Sequence, residues 1–313
     1  MRFPKMFASG MMCCCILVVV LAFLFSTTAQ AASFMPKNAS IAQNHSPAIS
    51  TKTTTHWTNW NQYFGDPARF NRAEHSISVK NVSSLHPVWA QNVDNTITTS
   101  PVTVNGVVYV VSFDGMVGAY DALNGKKLWT TLLPNYQYDQ YSAPAVDNGM
   151  VFIATYWGSF FALNAKNGKQ AWSYHLSRAT TTYIADSPAV ANGMVYFGES
   201  TVIDANGDTN ATLYALNEKT GKVAWTYHLK NWLMKVSPVV VNKVIYVAPN
   251  FDTNQLFAIN ATTGKLIWKV AGFTASNVVV TNNTVYGSFS DPKTQKNGLA
   301  AVNATTGKIV WKN

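Results

Sequence analysis

Five segments of this chain are copies of one another, and this repetition limits the possible folds more than any other property. They are Ala119–Trp129 (AYDALNGKKLW), Ala162–Trp172 (ALNAKNGKQAW), Ala215–Trp225 (ALNEKTGKVAW), Ala258–Trp268 (AINATTGKLIW) and Ala301–Trp311 (AVNATTGKIVW). Trp89, after Pro87 and Val88, is a sixth closing tryptophan without the preceding signature. Successive tryptophans lie 40, 43, 53, 43 and 43 residues apart. A period of roughly 40 to 45 residues is that of a four-stranded propeller blade, so the expected fold is an all-β propeller.

The first half of each repeat agrees. Ser100–Tyr109 reads SPVTVNGVVY, and Ala143–Phe152, Ser187–Tyr196 and Ser237–Tyr246 follow it. The fifth copy, Ser276–Tyr286, has Asn277 in place of proline and one additional residue. Proline opens a strand where its missing N–H does least harm. Asn-Gly makes a tight hairpin turn that needs positive φ. A second turn, closed by Gly125, Gly168, Gly221, Gly264 or Gly307, starts the outer strand that carries the tryptophan. A blade therefore reads strand, Asn-Gly turn, strand, loop, strand, Gly-Lys turn, strand. One tryptophan per blade in one register fits packing between blades, with each indole N–H bound to backbone, better than a stacking platform for a cofactor.

Hydrophobic residues make up 48% and charged residues 12% of the 313 residues, which excludes a disordered chain. Residues 1–32 read as a signal peptide or an N-terminal membrane anchor: Arg2 and Lys5, the apolar run Met11–Phe25, then Ala29-Gln30-Ala31. The domain is therefore expected outside the cytoplasm, secreted or anchored. Cys13, Cys14 and Cys15 all lie in that leader. Residues beyond it have no thiol for a disulfide, a nucleophile or zinc. Residues 33–56, rich in Ser, Thr, Asn and Ala, read as a flexible linker. Residues 57–313 are the expected propeller. The net charge of +9 falls to about +7 without the leader.

The repeat resembles the pyrroloquinoline-quinone (PQQ) repeat of quinoprotein alcohol dehydrogenases, polyvinyl-alcohol-dehydrogenase-like proteins and the non-catalytic outer-membrane assembly propeller. The opening Trp57–Trp89 is similar to that family's: Trp, Gly-Asp, Arg-aromatic-Asn, and Asn-Val-x-x-Leu before the first blade tryptophan. The resemblance implies a propeller, and, for catalytic members, a quinone with calcium at the axis. Catalytic members carry an adjacent Cys pair, a Glu before the first-blade proline and a Gly-Val-Arg-Gly segment. Here those places hold no Cys, Thr98-Thr99-Ser100-Pro101, and Gly198–Leu213 without that segment. Beyond the opening, Arg178 is the single arginine. The family usually has eight blades. This chain offers five full repeats plus an N-terminal outer strand at Trp89. Either a smaller ring closes while that strand packs elsewhere, or the chain is a truncated relative.

Other candidates are weighed against plainer roles. The third step contains Asp204, Asn206, Asp208 and Asn210, whose alternate oxygens resemble a calcium loop, but the glycine is misplaced, Ala215 stands where the closing Glu belongs, and a turn-rich hairpin explains the same residues. His175 and His228 are repeat-equivalent and read as exposed strand histidines. Lys126, Lys169, Lys222, Lys265 and Lys308 each follow a turn glycine. They form either a basic ring for an anionic surface or edge-strand protection. No nucleic-acid motif is present, and membrane contact is expected only through the N-terminal segment. The sequence thus points first to a non-catalytic binding or scaffold propeller without a cofactor, its partner a protein or an anionic cell-surface component. The alternative is a PQQ-dependent alcohol or polyvinyl-alcohol dehydrogenase, or a truncated relative of one.

Overall fold

The computed structural model describes residues 62, 79–93, 96–134, 142–176, 181–184, 186–202, 209–230, 237–249, 254–274, 278–291, 293–294 and 296–313. The leader, most of the linker-to-domain opening, and Asp204, Asn206 and Asp208 lie outside the described residues.

The five repeats form five antiparallel sheets, each in simple up-and-down order. Blade 1 comprises β1 (Val102–Val104), β2 (Val107–Val111), β3 (Met116–Asp121) and β4 (Lys127–Leu132). Blade 2 comprises β5 (Ala145–Asp147), β6 (Met150–Ala154), β7 (Ser159–Asn164) and β8 (Gln170–His175). Blade 3 has β10 (Ala189–Ala191), β11 (Met194–Val202), β12 (Thr209–Asn217) and β13 (Val223–Lys230), with β9 (Thr181–Tyr183) added beside β11. Blade 4 has β14 (Val239–Val241), β15 (Val244–Val247), β16 (Gln255–Asn260) and β17 (Leu266–Ala271). Blade 5 has β18 (Val279–Thr281), β19 (Thr284–Ser290), β20 (Asn297–Asn303) and β21 (Ile309–Lys312). The short first strands β1, β5, β10, β14 and β18 pack against one another in succession, so they are the innermost strands.

Local chemistry sets each blade. Asn105 and Gly106 take φ of 49° and 77°, the left-handed pair that the Asn-Gly hairpin requires. At the second turn the carboxamide of Asn164, Asn217, Asn260 or Asn303, or the carboxylate of Asp121, accepts a backbone N–H two residues on. This Asx cap closes the turn without needing tertiary contacts. The register then slips by one residue at the same place in every blade: Ala162 faces Trp172, but Leu163 faces Gln170. The bulged residue (Leu128, Ala171, Ala224, Ile267 or Val310) is turned to solvent, and the extra twist aims the tryptophan at the next blade.

Four apolar clusters fill the four joints between blades. At each joint the tryptophan of one blade crosses to the next. Trp129 donates to the Ala165 carbonyl, Trp172 to Glu218, Trp225 to Ala261 and Trp268 to Ala304, at 2.9 to 3.0 Å. Three of those carbonyls take a second donor, the hydroxyl of Tyr109, Tyr196 or Tyr246. Blade 2 has Phe152 at that position, and rings stack there instead: Phe160 on Phe197 and Phe197 on Tyr214.

Trp89 answers the question left open by its sequence. Pro87–Gln91 pairs with no strand among the described residues. Even so, Trp89 takes the seat on blade 1 that a preceding blade would fill. Its N–H donates to the Ala122 carbonyl at 2.9 Å, and its ring covers Gly125.

Candidate functional site

The innermost strands present their free edges to the centre, which is where a propeller can hold a ligand. Two features close this region around blades 2 to 4. The first is a serine link. The Ala143 N–H donates to Ser187 Oγ, and the Ser187 N–H donates to Ser237 Oγ, both at 2.9 Å. These serines precede the strand-opening prolines, so the Ser-Pro motif ties the inner strands of blades 3 and 4 each to the one before it. The second is Gln62. Its side chain is buried, and its Oε1 accepts the Val190 N–H at 3.0 Å. Val190 lies in β10, the edge strand of its sheet, so a side chain from the segment ahead of the blades occupies an innermost edge.

The second candidate lies where the β11–β12 hairpin leaves blade 3. Glu199 is buried, with its carboxylate taking the Thr201 hydroxyl. Across the sheet, Glu199 faces Thr212, which in turn faces His228. The Thr212 hydroxyl lies 3.2 Å from His228 Nδ1. Burial pushes the Glu199 carboxyl above the usual carboxylate range, while Thr201, Thr212 and the His228 charge pull the other way. Burial and then the Glu199 charge raise the neighbouring Tyr174 and Tyr214 phenols. Asp186, also buried, accepts the Gly198 N–H through Oδ2 at 3.1 Å. The cluster can hold a proton on a desolvated carboxyl and connect it through a hydroxyl to an imidazole at the surface.

The sequence-derived residues separate cleanly. Trp129, Trp172, Trp225 and Trp268 pack between blades, and Gly168, Gly221, Gly264 and Gly307 lie beneath the tryptophan of the blade before. His175 and His228 are exposed, but each also meets a cross-strand hydroxyl, of Ser159 and Thr212 respectively. The five turn lysines are all exposed. Of the proposed calcium loop only Asn210 is described, and it sits in β12 opposite Thr201 and Lys230. Sequence reasoning missed Gln62 and Glu199. Glu199 had a signal: it stands where the other copies have Ser112, Thr155, Pro249 and Phe289, none of them charged.

A quinone site with calcium needs several carboxylate or amide oxygens converging on one point. The buried carboxylates here do not supply that. Glu199 is engaged by threonines, and among the described residues no three His, Cys, Asp or Glu side chains come together.

Comparison with known proteins places the chain. A quinoprotein alcohol dehydrogenase, PedH, of Pseudomonas putida is 26% identical over 204 residues, which cover 61% of this chain and 26% of that protein. The chain thus matches only about a quarter of that relative's length. Among solved structures, BamB from Moraxella catarrhalis superposes with a TM-score of 0.55 at 23% identity, covering 72% of this chain and 64% of that one. Quinohemoprotein alcohol dehydrogenase from Comamonas testosteroni gives 0.66 at 18% identity, covering 82% and 49%. Both likenesses concern the fold. The model of the PQQ-repeat family described as outer membrane protein assembly factor BamB matches residues 81–199 and 186–313, and the chain belongs to that family.

Proposed function

We propose that this propeller is a non-catalytic binding or scaffold module working outside the cytoplasm, delivered there by residues 1–32 as signal peptide or anchor. The observation that carries this reading is Gln62. A side chain of the protein itself holds the innermost edge of blade 3, in the region where the catalytic relatives are expected to hold quinone. The missing Cys pair and first-blade Glu agree with it. The partner is a protein, as the family's description as an outer membrane protein assembly factor suggests, or an anionic cell-surface component meeting the exposed turn lysines.

The rival reading, a PQQ-dependent alcohol or polyvinyl-alcohol dehydrogenase or part of one, draws on the match to PedH. Calorimetric titration of PQQ with calcium into the chain from Ser33 onward separates the two. The scaffold reading expects no saturable heat and no quinone absorbance after desalting. One-to-one binding tighter than about 10 μM, roughly −7 kcal/mol, would overturn it.

A further inference from the structure

The inner and outer turns of every blade emerge on the same side of the propeller and are tied into one surface. The residue after each Asx cap donates its N–H to the inner turn: Ala122 to Gly106, Ala165 to Gly149, Glu218 to Gly193, Ala261 to Lys243 and Ala304 to Asn283, at 2.8 to 3.0 Å. The tryptophan of one blade then covers the outer-turn glycine of the next. The five lysines that follow the turn glycines share this face with Lys127, Lys166, Lys219 and Lys243, and all nine are exposed. The carboxylates in the same turns are those of Asp121, Asp147 and Glu218. Each is at least half-buried and already accepts a hydrogen bond within the face. The ammonium groups therefore point outward while the carboxylates are occupied.

Edge protection accounts for the lysines that open outer strands. It does not account for Lys166, Lys219 and Lys243, which stand in turns. Lys243 has a φ of 62° where Gly106, Gly149 and Gly193 have 77°, 75° and 73°, so a long side chain is kept where the backbone favours none. No arginine and no aromatic ring stands in any of these turns. Protein interfaces are enriched in exactly those two kinds of residue and depleted in lysine. Lysine is a hydrated point charge, drawn to an anionic plane without matched geometry. We propose that this turn face docks on an anionic phospholipid bilayer, through lysines spread over five rigidly joined blades. The domain itself then makes a membrane contact beyond the one expected of the N-terminal segment. The proposal rests on the reading of the propeller as a binding module and names the surface it binds.

The test is acylation of individual lysines in the full chain, read by mass spectrometry. The chain is placed on vesicles of phosphatidylcholine with and without about one-third phosphatidylglycerol. Residues 1–32 are present on both, so tethering through them cancels in the comparison. Lys293 and Lys296, exposed at the opposite end of blade 5, are the internal controls. On the anionic vesicles the turn lysines react about threefold more slowly or less, and the controls keep their rates. The slowing disappears in about 1 M salt, where the screening length is about 3 Å. Equal turn-lysine rates on the two vesicles overturn the proposal and leave the face to an acidic protein. Controls slowed as much as the turn lysines also overturn it, because attraction without orientation needs no docking face. Protection by inorganic polyphosphate but not by anionic vesicles overturns it in favour of a soluble polyanion. The quinone titration fails or succeeds separately: saturable quinone binding together with protected turn lysines would end the non-catalytic reading and leave the docking face standing.

Discussion

Trp129 lies over Gly168 of the next blade so closely that a Cβ on that glycine would sit 2.5 Å from the indole Cε3. Gly168 also has a φ of +71°. Gly149 has nearly the same backbone, φ +75°, but nothing within 4 Å of its missing Cβ. The two glycines separate backbone strain from steric exclusion. Gly149→Ala should cost about 1 kcal/mol, the strain of a left-handed alanine. Gly168→Ala should cost more, about 3 kcal/mol, because the ring and the Thr131 hydroxyl must also move. Urea unfolding midpoints of the two variants check the difference, and equal losses would contradict it.

The tryptophans should not be equivalent under mutation. Trp172→Phe removes the N–H that satisfies the Glu218 carbonyl, at a cost of about 1 to 2 kcal/mol. Trp311→Phe removes a half-exposed indole with no such carbonyl before it among the described residues, and should change stability by less than about 0.5 kcal/mol. Thermal melts of both variants under one set of conditions decide this.

Glu199 gives a pH dependence with a definite sign. Its carboxyl is raised in the folded protein, chiefly by burial, above the value of 4.5 for a free glutamate. The folded state then binds the proton more tightly than the unfolded state does. Its stabilising contribution is full below about pH 4.5 and is lost as pH rises through the folded value. Glu199→Gln should therefore flatten the fall in stability above pH 4.5 and gain on the wild type toward neutrality. Denaturation midpoints from about pH 4 to about pH 8 test it, and a variant that loses ground as pH rises would refute it.

Gln62→Ala should expose an amide on the innermost edge of blade 3. The expected cost is about 1 to 2 kcal/mol, from a buried N–H left without its acceptor. The specific readout is hydrogen exchange at Val190. It should accelerate in the variant, while the Val195 amide in the neighbouring strand keeps its protection.

Most of the fold was legible because the constraints are local and repeated. Asn105-Gly106, the Asx caps and the strand alternation each act within a few residues, and the copies confirm one another, the Asn-Gly pair in three of the five. The bulge at Ala162/Leu163 was not legible, since nothing in the composition shows which residue loops out. Gln62 and Glu199 were hidden for a different reason. Gln62 meets Val190 across 128 positions of sequence, and a repeat reading averages over copies and so passes over the one that differs. Trp89 lay between these cases: its type revealed the seat, but only the fold showed whose seat it was.

The joint between blades 2 and 3 differs from the other three in what resists its rotation. Elsewhere one alanine carbonyl is held by two directional donors, so a few degrees of twist between blades stretches both bonds. With Phe152 in the tyrosine's place, the Glu218 carbonyl keeps a single donor, and Phe160, Phe197 and Tyr214 stack face to face beside it. Stacked rings slide at little cost while they stay covered. The second joint therefore exchanges one directional bond at that carbonyl for ring stacking, while the Asn148 amide donating to the Glu218 carboxylate and the Ala143 N–H donating to Ser187 hold its register.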